Sequence, residues 1–337
     1  MTEATPVVHG GTADPAILDF SANTNPAIPV GAEAVFSGSF ERCDRYRQAH
    51  PAYTAAVARH CGCPSGWVVP TGGGIAALSL AITALTHAEA VVTIAGPTFG
   101  EYARLVRVAG GRCRSVALMD IDAADVSASD LVIVCTPNNP CGRLIGTERR
   151  DRLLEVAAAE GASVKSRNAS SMMMGTFSAA LVARSETKLF GLPGLRAGAL
   201  VVPPRYRERV EAVRDPWPIG TPAATVAGFC LQQTAFIAAT RQRVVAERAR
   251  MRAALTPAYE VSPSAAPFLL CRPRRLTALG LTPADPVGDL CRRAAAADIA
   301  IRDARSFAGY DEHIRIAVRR PHENDRLLSV LLGDHDG

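Results

Sequence analysis

The stretch WVVPTGGGIAALSLAITAL, residues 67–85, decides the fold. It reads as a short β-branched strand, a turn of three glycines and a helix. The same grammar returns in AVVTIAGPTFGEYARLVRVAG (90–110) and in SDLVIVCTPNNPCGRLIGTERRDRLLEVAAAEG (129–161). Short apolar strands alternating with helices imply a mainly parallel sheet covered by helices, a three-layer αβα arrangement of the α/β class. Further along, ALVVPP (199–204) reads as another strand, and 222–256 is helical in pattern. From about residue 257, mixed strands and helices predict a smaller C-terminal α+β domain. Before the first unit, residues 1–30 are punctuated by Pro and Gly and read as an extended arm. Residues 51–61 suit a short helix. The expected organisation is an arm over 1–50, a large domain over 51–225, and a linking helix with the small domain over 226–337.

The chain has 337 residues, 48% of them hydrophobic, enough for one large domain or two closely packed ones. Its net charge is +5, and the arginines are scattered rather than gathered in a tract. That pattern does not call for a nucleic-acid partner and is compatible with small anionic substrates. Nine cysteines form no regular framework, which argues for a reducing compartment. Cys61 and Cys63 have neither redox nor zinc spacing, so they are read as structural and no metal is expected. MTEATPVVHGG has no basic region leading into an apolar run. No apolar run approaches the roughly 18 residues of a membrane span. The expectation is a cytoplasmic protein with no membrane partner.

The segment SETKLFGLPGLRAG, residues 185–198, carries the chemistry. A lysine amine can hold an aldehyde cofactor as a Schiff base. Ser185 precedes Lys188 by three residues and Arg196 follows it by eight, positions from which both can clamp a cofactor phosphate. The segment resembles the cofactor-lysine region of fold-type I pyridoxal-phosphate enzymes. Within that family it is most similar to the branch of histidinol-phosphate aminotransferases and threonine-phosphate decarboxylases. The resemblance runs from His9 to about Leu332. It implies an aspartate-aminotransferase-like large domain, pyridoxal 5′-phosphate as cofactor, and a homodimer.

The other landmarks take their roles from the same resemblance. The turn Thr71-Gly72-Gly73-Gly74 matches the family's cofactor-phosphate turn, with Gly73 and Gly74 offering backbone amides at a helix N-terminus. The family's nearby asparagine and glutamate are replaced by Gly72 and Ala76, so backbone groups are what remains there. GPTFGEY (96–102) resembles the segment that lays an aromatic ring over the pyridine, with Phe99 the first candidate and Tyr102 the second. In TPNNPCG (136–142), similar to the family's Asn-Pro-Thr-Gly motif, Asn139 would donate to the cofactor's phenolic oxygen. In AIRDARSFAGYDEHIRIAVRRPHENDRLL (300–328), Arg315 would form a bidentate pair with the substrate carboxylate. Arg302 would bind the substrate's distal anion or the same carboxylate. HGG followed by ILDFSANTNP is more similar to the decarboxylases than to the aminotransferases, and Asn23 would stand at the mouth of the substrate site. Tyr46, in RYRQAHPAY, would reach the cofactor phosphate of a partner subunit. The activity implied is decarboxylation of L-threonine O-3-phosphate, a phosphorylated amino acid, in cobalamin synthesis. A histidinol-phosphate-type aminotransferase shares nearly all of these residues.

One stretch departs from the pattern. The family has a buried apolar strand ending in Asp-Glu-Ala-Phe or Tyr, whose aspartate pairs with the pyridine nitrogen and makes the ring an electron sink. Here the equivalent is VKSRNASSMMMGTF, 164–177, with Arg167 in the aspartate's place and Ser170 in the aromatic's. Buried parallel strands normally read as continuous apolar runs, and this one does not. One allowed codon set for 164–177, read on the opposite DNA strand in a shifted frame, encodes Asn-Val-Pro-Ile-Ile-Ile-Asp-Asp-Ala-Phe-Leu-Asp-Phe. That is the apolar strand, acidic residue and Ala-Phe of the family. Two expectations follow: a short inverted DNA segment, and a catalytically impaired relative as the chain is written.

Overall fold

In the computed structural model the described residues are 9–47, 49–160, 163–167 and 180–333; for residues 160 and 163–167 only the backbone is described. The chain opens with an extended arm carrying β1 (Leu18–Asp19), then α1 (Ala32–Ser37) and α2 (Pro51–Cys61). A seven-stranded sheet follows. Its strands are β2 (Val68–Thr71), β3 (Val91–Gly96), β4 (Arg112–Ala117), β5 (Leu131–Cys135), β6 (Ser163–Arg167), β7 (Ala180–Ser185) and β8 (Gly198–Val201). They lie in the order β2-β8-β7-β6-β5-β3-β4. Strands β3 to β7 pair in parallel, while β8 runs antiparallel to both of its neighbours.

Both faces of this sheet are covered, and β5 shows why. Its five apolar residues are all buried. Successive side chains on a strand point to opposite faces. Leu131, Ile133 and Cys135 join one core with α3 (Gly74–Leu85), α4 (Glu101–Val108) and α7 (Pro204–Glu211). Val132 and Val134 join another with α5 (Ala123–Ser127) and α6 (Thr147–Glu160). A third core gathers α2 and α8 (Thr221–Leu231) under the β2–β8 end.

The helical pattern over 222–256 resolves into two helices, α8 and α9 (Thr234–Leu255), bent by 73°. The break falls at Gln232 and Gln233. Their backbone N–H groups cap the carbonyls of Phe229 and Cys230, and the Gln232 amide donates to Gly228 O. The last carbonyls of α8 are thereby satisfied without continuing the helix. Among the described residues no single helix is long and apolar enough to cross a membrane.

The smaller unit is an antiparallel sheet of β9 (Tyr259–Val261), β10 (Phe268–Pro273), β12 (Arg302–Asp303) and β13 (Ile314–Ala317), ordered β12-β13-β10-β9. It packs with α9, α10 (Pro286–Ala296) and α11 (Pro321–Leu332). The arm belongs to this core as well: Phe20 is fully buried in it, and β1 pairs with β11 (Ile299–Ala300).

Strand β6 forms between β5 and β7. Lys165 stands in register with Ile133 on one side and Leu181 on the other, and Arg167 with Cys135. The rest of the divergent stretch, Ser170 included, lies outside the described residues.

Candidate active site

The carboxyl ends of the parallel strands, the arm and the small sheet enclose a cleft of about 1120 Å³. At one end stands the glycine turn. Gly73 caps α3 with no side-chain hydrogen bond, and the first intrahelical bond is Ala77 N–H to Gly73 O. The first N–H groups of α3 therefore face outward, where an anion is favoured by the helix dipole. Gly73 has φ +95°, and a Cβ there would lie 2.7 Å from Arg196 Nη2. A Cβ on Gly198 would lie 2.5 Å from the Gly73 carbonyl carbon. Glycine at both positions lets turn, strand β8 and arginine converge on one cradle. Gly74, Ser185, Lys188 and Arg196 all line the cleft. Lys188 is one of two lysines in the chain, the other being Lys165.

The loops after β3 and β5 form the next wall. Buried Asn138 ties them together, its amide donating to Pro97 O at 2.8 Å and to Cys141 Sγ. Phe99 and Asn139 thereby reach the cleft. Tyr102 does not line it. It is buried in the α3–α4 core, edge-on to the Phe99 ring, because the first turn of α4 directs it inward. Of the two aromatic candidates the cleft holds Phe99.

At the far end are two buried arginines. Arg315 donates to Asn139 Oδ1 and to Ser21 O, the latter at 2.6 Å. Asn139 is left with its Nδ2 to donate. The Nε of Arg315 is buried without a partner, and among the described residues no carboxylate pairs with this guanidinium. Burial, and then the like charge of Arg302, push it down to about 9. Arg302 is buried too and bonds Ser306 Oγ. A cation desolvated in this way favours an incoming anion. Asn23 lines the same space, its buried Oδ1 unpartnered.

Tyr46 is not brought to this cleft. It is 83% exposed and rests against Trp217, ring centroids 4.6 Å apart. Conversely, sequence reasoning passed over His9, which lines the cleft beside Phe99 and meets Glu101 at 3.3 Å. It also passed over Asn25, whose Asn-Pro context reads as an ordinary turn. The buried pair Arg184–Glu186, 2.7 Å apart on either side of Ser185, carried no signal because charged residues at a strand end normally read as exposed.

The model of the aminotransferase class I and II family matches residues 16–331. The chain belongs to that family. Its relatives include the threonine-phosphate decarboxylase of Salmonella typhimurium, 29% identical over 353 residues, spanning 95% of this chain and 92% of the relative. The histidinol-phosphate aminotransferase of Roseiflexus castenholzii is 30% identical over 337 residues, spanning 94% and 89%. The histidinol-phosphate aminotransferase structure from Clostridium acetobutylicum superposes with a TM-score of 0.83 at 23% identity, over 94% of this chain and 99% of that one. The chain is an enzyme of the lyase-or-aminotransferase type, and its cofactor is pyridoxal 5′-phosphate. The cleft fits that group: an uncapped helix N-terminus with a cradle that a Cβ would fill, a lysine, an aromatic face, and an asparagine with a free donor.

Proposed function

We propose that the protein decarboxylates L-threonine O-3-phosphate to (R)-1-amino-2-propanol O-2-phosphate and carbon dioxide, in cobalamin synthesis. The observation that carries this reading is the pair of buried arginines, Arg315 and Arg302, lining one cleft with Lys188 and the arm. Such a site takes a small substrate with two anionic groups. The arm that roofs it carries HGG and ILDFSANTNP, which are more similar to the decarboxylases than to the aminotransferases.

In this reading Ser185, Arg196 and the α3 N-terminus hold the cofactor phosphate, Phe99 lies over its ring, and Asn139 donates to its phenolic oxygen. When bound, pyridoxal 5′-phosphate supplies the sink for electrons released at Cα. Arg315 grips the substrate carboxylate bidentately and fixes which Cα bond is presented. Breaking the Cα–carboxylate bond releases carbon dioxide and leaves the electron pair with the Cα side. The Lys188 amine, carrying a proton, donates it to Cα in the place the carboxylate has left. Arg302 and Asn23 hold the distal phosphate.

The second reading, a histidinol-phosphate-type aminotransferase, uses the same residues and is supported by the 30% identical relative. Purified protein with cofactor and threonine phosphate, with and without a keto acid, separates the two. Carbon dioxide and amine formed without keto acid support the decarboxylase; keto-acid-dependent transfer without carbon dioxide overturns it. A third reading, an impaired relative, rests on Arg167 at the end of β6. The proposed partner is a second copy. Val30, Phe40 and Tyr46, at 95, 79 and 83% exposure, gather in the arm and the segment after it, the part proposed to reach the other protomer's phosphate site. A mass in solution of one chain would overturn that. A cytoplasmic location is proposed on the same footing.

A further inference from the structure

The backbone that carries Lys188 is gripped by one residue of the arm. Asn25 donates its own N–H to Lys188 O at 2.9 Å. Its side-chain Nδ2 donates to Leu189 O at 2.7 Å and to Thr240 Oγ1 at 3.3 Å. Its Oδ1 accepts from Arg243 Nη2 at 2.6 Å and from Ala27 N. Asn25 thus binds two consecutive carbonyls, the lysine's and the next, and anchors them to α9. The far side of that anchor is the small sheet, since Arg243 also donates to Arg319 O. The arm is fixed on that side as well: Arg319 donates to Asp19 O, Arg320 to Pro26 O and Arg315 to Ser21 O.

A second, independent feature points to the same contact. Gly191 has φ +69°, and a Cβ there would lie 2.8 Å from Asn25 O and 2.7 Å from Ala27 O. The turn after the lysine and the backbone of the arm touch so closely that no side chain fits between them. A lysine at the start of a glycine turn would otherwise sample many backbone states.

We propose that Asn25 is a positioning residue for Lys188: it holds the 188–189 peptide against the arm and α9, so that the amine is presented to the cleft by the same elements that carry Arg315. This rests on Lys188 being the cofactor lysine. Asparagine suits the task because one planar amide offers both a donor for the carbonyl and an acceptor for Arg243. Aspartate would keep the acceptor and lose the donor.

The test uses the full chain and two variants, Asn25→Ala and Asn25→Asp. Hydrogen exchange in the cofactor-free protein reads peptides covering 188–192, with those of α3 as the internal reference. Loss of bonds worth about 1 kcal/mol each predicts exchange at 188–192 faster by roughly 5- to 30-fold in both variants, with α3 unchanged. Borohydride trapping with limiting pyridoxal 5′-phosphate then reads how well the amine is presented. Label on the Lys188 peptide after a fixed time should fall several-fold in both, while binding of pyridoxamine 5′-phosphate, which needs no lysine, stays near parental. Parental exchange at 188–192 overturns the proposal, and so does faster exchange spread over the whole chain. Parental trapping in a variant with loosened 188–192 also overturns it. If the parent is never labelled at Lys188, the cofactor-lysine reading fails, and the exchange result still decides whether Asn25 holds this peptide.

Discussion

Strands β5 and β6 lie side by side in one sheet and are built from opposite materials. LVIVC (131–135) is apolar throughout and every residue is buried. SVKSR (163–167) places a lysine, a serine and an arginine in consecutive positions of the neighbouring strand. Around this pair the rest of the site is consistent: the glycine turn, Ser185, Lys188, Arg196 and Arg315 converge on one cleft. The difference teaches that the residues lining the cleft and the central strand of the sheet beside it are separable. A sequence can keep the first and lose the second, and local conflict with an otherwise self-consistent chain marks where.

The largest effect tests the intact half. Lys188→Ala is expected to abolish both the absorbance band of bound cofactor and turnover, since the chain's other lysine, Lys165, stands within strand β6 between β5 and β7. A variant that keeps both would show that the cofactor is held elsewhere, and Lys165 would be the residue to examine. Next in size is repair of the other half. Replacing 164–177 by an apolar strand ending in Asp-Asp-Ala-Phe should raise activity by orders of magnitude and also soluble yield. A cation near the pyridine nitrogen disfavours its protonated form, at about 1.4 kcal/mol per pK unit. The as-written and repaired proteins would be assayed side by side with threonine phosphate; equal, substantial activity would show Arg167 to be tolerated. Long-read sequencing across the gene decides the origin of the stretch, and a transcript that reads forward sinks the inversion.

A smaller effect probes the substrate end. Arg315→Lys keeps the charge but loses the planar fork. Affinity for the amino-acid substrate is expected to fall roughly 10- to 100-fold, about 1–3 kcal/mol, with cofactor binding unchanged. Parental KM would remove Arg315 from carboxylate binding.

The fold was legible where periodicity and chemistry agree. Three strand–turn–helix repeats announced the parallel sheet, and the segment from Ser185 to Arg196 announced three residues that line one cleft. What stayed hidden depends on long-range contact. Asn25 is an Asn-Pro turn until Lys188, distant in the chain, folds against it. Tyr102 is an aromatic near a loop until the first turn of α4 sends it to the core. The break at Gln232 is invisible to a helical pattern that continues on both sides of it.

The last test returns to the two strands, reads stability rather than activity, and asks whether position 165 suits the pattern of its neighbours. Lys165 stands between Ile133 and Leu181 in register, and both of these are buried in the core under α3 and α4. Registered residues of adjacent strands share a face, so position 165 is on theirs. Ile133→Ala is expected to cost about 2–5 kcal/mol, through lost burial and the cavity left behind. Lys165→Leu should move the other way. A leucine in register with Ile133 and Leu181 continues their apolar pattern, for an expected gain of about 1–3 kcal/mol. Urea midpoints of the cofactor-free protein read both changes on one scale. A midpoint unchanged or lowered by Lys165→Leu would mean that a lysine at this position is at home, and β6 would then be a strand adapted to its charges rather than one at odds with its sheet.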